Sequence, residues 1–153
     1  MTDDDNTRTP GRAAQIVRGV SRFLVERGES CLTEFTLKTG RRVDVIALDR
    51  KGRIAVVEVK SSVADFRSDR KWSEYLEYCD LFFFAVDADF PQEILPPDCG
   101  IILADAYGAA IIRDSSASTL NAARRKAVTL RFARTSAGRL LGYTDPDWIR
   151  GYL

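Results

Sequence analysis

Apolar residues recur three and four apart from Ala13 to Leu24, through Ile16, Val17, Val20 and Phe23, which predicts an amphipathic helix with one buried stripe. Thr9-Pro10 reads as its start, with proline at the first helical position, and Gly28 as the residue just past its end. From residue 31 the period changes. Cys31–Leu37 is a short β-rich run, Lys38-Thr39-Gly40 a turn, and Val43–Leu48 a second strand. Asp49-Arg50-Lys51-Gly52 makes a tight connection into Ile54–Val59, whose residues are apolar on both faces apart from one glutamate. Such a strand is central in a sheet and covered on both sides.

Ser61 and Ser62 offer N-cap hydroxyls for a helix running to about Glu77, and Leu81–Val86 is a further uninterrupted apolar strand. Prolines at 91, 96 and 97 mark a loop with a short helical turn around Glu93. Gly100–Ala104 and Ala109–Ile112 read as a hairpin across Asp105–Gly108, and residues 118–141 as a helix that Gly138 would divide. No repeat, low-complexity segment or linker splits the chain. Residues 1–8 read as a frayed, flexible acidic tail and 9–153 as one domain. The order is helix, three strands, helix, strand, then an appended hairpin and helix. It predicts an α/β fold with a mixed central sheet flanked by helices.

Chemistry concentrates at Val43-Asp44-Val45 and Val57-Glu58-Val59-Lys60. If Leu48 pairs with Ile54 across the turn, Asp44 falls opposite Glu58, with Cβ atoms about 5 Å apart. Lys60, two residues on, projects from the same face as Glu58. Two carboxylates this close repel unless one keeps a proton or a cation intervenes. A hard divalent ion, Mg2+ or Mn2+, suits that oxygen set and leaves room for a phosphate. It would polarise the phosphate and activate water, with Lys60 orienting that water. The competing reading is a plain solvated ion pair, since E-x-K is common. A glutamate embedded among Ile54, Val56, Val57 and Val59 weighs against it.

The rest of the composition removes alternatives. The chain has no histidine, which excludes Ser-His-Asp triads, Cys-His pairs and HExxH zinc sites. Cys31, Cys79 and Cys99 match no zinc spacing and read as reduced thiols of a cytoplasmic protein. The acidic start is unlike a signal peptide, and no apolar stretch is long enough to span a bilayer. Net charge is only +1, so any nucleic-acid surface depends on where the cations sit.

Asp44-(x)13-Glu58-x-Lys60, on the second and third strands after an opening helix, resembles the motif of the PD-(D/E)xK nucleases, with Val43 where that name has proline. A longer string is more specific. Gly40-Arg41-Arg42-Val43-Asp44, Glu58-Val59-Lys60-Ser61-Ser62, Asp65-Phe66 and Asp69-Arg70-Lys71-Trp72 resemble the MmcB-related DNA repair proteins. Tyr75, Cys79-Asp80, Phe84-Ala85-Val86, Phe90-Pro91 and the arginine-rich Arg124 to Arg134 stretch fit the same picture, over roughly residues 12–141. The resemblance implies DNA repair and a restriction-endonuclease-like core, with Asp44, Glu58 and Lys60 catalytic and Asp44 and Glu58 on the metal.

Glu34, in the flanking strand, is the candidate third carboxylate, with an exposed strand glutamate as its alternative. Lys71 and Tyr75, four apart on the predicted helix, are candidate phosphate contacts, or Tyr75 packs with Trp72. Arg41, Arg42, Arg124, Arg125, Lys126 and Arg131 are candidate DNA contacts, or a solvated face. A two-fold dimer would suit cleavage of both strands. The alternative to a nuclease is a catalytically silent DNA-binding or adaptor protein on the same fold. A small-molecule enzyme is the weakest reading, because no glycine-rich phosphate loop follows any strand.

Overall fold

In the computed structural model, residues 11–149 are described, so the Thr9-Pro10 helix start and the acidic tail lie outside the described residues. Helix α1 (Arg12–Glu26) lays Ile16, Val20 and Leu24 on the sheet, and Gly28, at φ 85°, follows its last turn. Gly19 sits where α1 crosses the connection after β5. A Cβ there would lie 1.8 Å from the Asp105 carbonyl oxygen, so no larger residue fits.

The six strands β1 (Ser30–Thr36), β2 (Arg42–Leu48), β3 (Ile54–Val59), β4 (Leu81–Val86), β5 (Gly100–Ala104) and β6 (Ala109–Arg113) form one open sheet in chain order. The first two pairings are antiparallel, β3–β4 and β4–β5 parallel, and β5–β6 antiparallel. The predicted C-terminal hairpin is β5–β6, appended at the edge of the sheet. β5 pairs with β4 and extends the central sheet.

Every residue of β3 is buried, as its apolar run predicts. Val45, Ala47, Val57, Ala85 and Ile102 face α1, while Ile46, Val56, Phe84 and Ile101 face the opposite layer. That layer contains α2 (Val63–Ser68), a 3-10 helix (Trp72–Tyr78) and α3 (Ala122–Thr144), followed by α4 (Pro146–Ile149). Phe66 and Trp72 both meet Phe84 edge to face, at ring-centroid distances of 5.5 and 5.3 Å.

Two helix expectations change. The single helix expected from Ser61 to Glu77 is broken at Asp69–Lys71, with a short α2 capped by the Ser62 hydroxyl before the break and the 3-10 helix after it. The C-terminal helix starts later than expected, at an Asn121 cap, and runs through Gly138 unbroken. Cys79 and Cys99 are buried, Cys31 is half-buried, and all three are free thiols.

Candidate functional site

Leu48 pairs with Ile54 in the β2–β3 ladder, which runs as far as Val45 opposite Val57. The same register sets Asp44 opposite Glu58, and there the side chains take over from the ladder. The Asp44 amide donates to Glu58 Oε1 at 3.0 Å, and the Val59 amide donates to Asp44 Oδ2 at 2.8 Å. β3 meanwhile stays joined to β4, because the Lys60 amide donates to the Ala85 carbonyl. The carboxylates thus sit where an antiparallel pair opens, each fixed by one backbone N–H. The other oxygen of each, Asp44 Oδ1 and Glu58 Oε2, accepts no hydrogen bond among the described residues.

Burial dominates the electrostatics. Glu58 is 5% exposed and Lys60 4%. Burial, then the charge of Asp44, pushes the Glu58 carboxyl up to about 8. Burial also raises Asp44, against the Val59 hydrogen bond and the Lys60 charge. Lys60 does not contact this pair. Its ammonium donates to Asp69 Oδ2 at 2.6 Å and lies 4.0 Å from Asp65. Burial works against the Asp69 carboxylate, but Lys60 and the Lys71 and Trp72 amides hold it below the usual range. The ammonium is therefore paired on the Asp65 and Asp69 side, while its charge reaches Asp44 and Glu58 without an ion pair.

Tyr75 closes the site from the 3-10 helix. It is buried, its hydroxyl donates to the Arg42 carbonyl at 3.5 Å, and burial plus the Glu58 and Asp69 charges push it up to about 12. Lys71 does not share its face. In a 3-10 helix four positions turn well past one revolution, so Lys71 is exposed while Tyr75 points inward.

Opposite Asp44 on the other side, Glu34 adopts φ 48°. Leu32 and Ile46 join the same core cluster as Phe35 and Val43, three residues along each strand, so side-chain alternation slips at this step. Arg139 of α3 holds the slip by donating to the Thr33 and Glu34 carbonyls at 2.7 and 2.8 Å. The Glu34 side chain is exposed, and among the described residues no three His, Cys, Asp or Glu are grouped to hold a metal.

The profile of the MmcB-like family, described as DNA repair protein MmcB-like, matches residues 2–147. The chain belongs to the MmcB-like family. It is also similar to a solved structure, the SPO1766 protein of unknown function from Silicibacter pomeroyi. The TM-score is 0.87 and the identity 45%, over 90% of this chain and 94% of that one. No curated protein matches. The family's description places the chain in DNA repair. Among the described residues no helix is long and apolar enough to cross a membrane.

The cations that the sequence offers as candidate DNA contacts divide into two groups. Arg125 is not among those available: it grips Asp80 with both nitrogens, at 2.7 and 2.6 Å. Asp80 also accepts from the Ile54 and Leu120 amides, and this clamp holds α3 to the sheet. Burial opposes the Asp80 carboxylate, yet these partners lower it to about 2. Arg41 is tied to Glu74 at 2.7 Å, and Arg124 lies over the Tyr78 ring at 4.7 Å. Arg42, Lys126 and Arg131 are exposed. Asp65 and Asp69, which sequence reasoning passed over as site residues, had a signal: two acids four apart in the segment that follows Lys60.

Proposed function

We propose that this MmcB-like chain is a metal-dependent DNA nuclease acting in repair, built on a restriction-endonuclease-like core of the PD-(D/E)xK type. The observation that carries the reading is the pair of facing carboxylates at the open end of β2–β3, Glu58 buried and Asp44 half-buried. Each has one oxygen pinned by a backbone amide and one that accepts no hydrogen bond among the described residues. Burial and then the Asp44 charge push the Glu58 carboxyl up to about 8, and a divalent cation held between the two carboxylates would offset both effects. Mg2+ commonly takes one or two carboxylates and completes its shell with water and phosphate, so Asp44 and Glu58 fit it or Mn2+ without a third ligand.

When bound, the ion supplies Lewis-acid polarisation of the phosphate and activation of water. The chain's own residues do the rest. The backbone amides of Asp44 and Val59 fix the two carboxylates in position. Asp69 holds the Lys60 ammonium in its buried place, from which Lys60 orients the attacking water and balances charge that develops on the phosphate.

One observation favours a silent DNA-binding scaffold instead: the Lys60 ammonium is already engaged by Asp69. The experiment that separates the readings is Mn2+ titration of wild type and Glu58→Gln by calorimetry, followed by incubation of each with labelled single-stranded, duplex and branched DNA. Metal binding and cleavage by wild type, both lost in Glu58→Gln, are expected. DNA binding with neither metal uptake nor cleavage would leave the scaffold reading.

A further inference from the structure

Charge is segregated along this chain. Helix α3 carries Arg124, Arg125, Lys126, Arg131, Arg134 and Arg139 and no acidic residue over 23 positions. The whole chain has 23 basic and 22 acidic residues, so outside α3 there remain 17 basic against 22 acidic. Arg125 and Arg139 are committed to internal partners. Lys126, Arg131 and Arg134 make no ion pair among the described residues.

Between α3 and the β1–β2 turn lies a groove of about 1170 Å³. Lys38 stands on the turn side, and Arg124, Arg131 and Arg134 on the helix side. Among the described residues no aspartate or glutamate lines it. Its floor is apolar, with the Tyr78 ring and Leu130, which is 54% exposed. The turn that walls the groove leads through Arg41 and Arg42 directly to Asp44, so groove and carboxylate pair share one structural element.

We propose that this groove is the track along which a single strand of DNA approaches the carboxylate site. Its phosphates meet Lys38, Arg131 and Arg134, and its bases lie against Leu130 and the Arg124 guanidinium that covers the Tyr78 ring. Cations alone would suit any polyanion. Cations around an aromatic and apolar floor suit a strand whose bases are unstacked, because a duplex presents only its charged backbone to such a trough. The inference rests on the reading that the chain works on DNA, but not on cleavage.

The test is fluorescence anisotropy in EDTA, with a labelled single-stranded oligonucleotide and its duplex, across a salt series. Wild type is expected to prefer the single strand. Arg131→Glu/Arg134→Glu is expected to bind it roughly tenfold more weakly or worse, with a shallower salt dependence. Arg18→Glu/Arg22→Glu, an equal charge change on the exposed side of α1, is expected to do much less. If the two double variants lose affinity equally, the groove is not the track. If the duplex binds as tightly as the single strand, the strand assignment falls. Should the groove reversal unfold, Arg131→Gln/Arg134→Gln is read in the same way. Cleavage in Mn2+ is scored separately. Binding through the groove without cleavage sinks only the nuclease reading, and cleavage indifferent to the groove variants sinks only this one.

Discussion

The Lys60 ammonium donates to Asp69 Oδ2 across 2.6 Å, although Glu58, two residues before it, and Asp44 opposite Glu58 are the carboxylates that a catalytic lysine would be expected to serve. Asp69 stands where the chain leaves α2, and its other oxygen accepts the Lys71 amide at 2.7 Å. The break in the helix and the placement of the lysine thus have one cause.

Asp69→Asn is expected to lower kcat roughly 10- to 100-fold with little change in KM, because Lys60 loses the partner that fixes it. Stability should fall by about 2 kcal/mol, with Asp65 left as a distant counter-ion. Steady-state kinetics and urea unfolding check both. Unchanged kcat with lowered stability would make the pair purely structural.

Glu58 should make the metal-free protein more stable as pH falls from about 8 toward 4.5. Glu58 titrates near 8 when folded and near its ordinary 4.5 when unfolded, so the folded chain holds the proton more tightly. That contribution is complete below 4.5 and is lost as pH rises through about 8. Urea melts of wild type and Glu58→Gln across this range should show the variant gaining on wild type toward alkaline pH. Mn2+ affinity should have the opposite slope, since the proton must leave first.

Arg125→Ala should cost about 3 kcal/mol, because it leaves the Asp80 carboxylate buried and without its cation. In wild type, Asp80 contributes stability above the unfolded carboxylate range that is lost as pH falls through about 2. Single-stranded DNA affinity, measured where the variant is still folded, should stay within about twofold of wild type. A large loss of affinity would return Arg125 to the DNA surface.

Glu34→Gly is expected to stabilise the fold by up to about 1 kcal/mol, since glycine adopts a positive φ without the penalty that a side chain carries. Calorimetry of the same variant tests Glu34 as a third metal ligand. Mn2+ affinity equal to wild type would leave Asp44 and Glu58 as the pair, and a tenfold loss would restore Glu34 to the site.

Much of this was legible in the sequence, and the reason is locality. β3, β4 and β5 run from the first to the last residue of their apolar stretches, because each stretch is bounded by turn formers. Leu48 pairs with Ile54 because a short turn leaves the strands few registers, and alternation then carries Asp44 to Glu58.

What only the tertiary structure decided is which partner each charge finds. The local pattern from Ser61 to Glu77 is helical, and nothing in it says that Asp69 will turn back to Lys60 and break the helix. Arg124 and Arg125 are alike in sequence. One stacks on Tyr78, while the other is drawn to Asp80, 45 residues away, because the sheet brings that carboxylate under the start of α3. The sequence by itself determined the strands, their register and the facing carboxylates, since backbone alternation and short connections act over a few residues. The partners of Lys60, Arg125 and Arg139 came from the packed fold. An ion pair or a clamp on a carbonyl depends on where distant elements come together, and no local period encodes that.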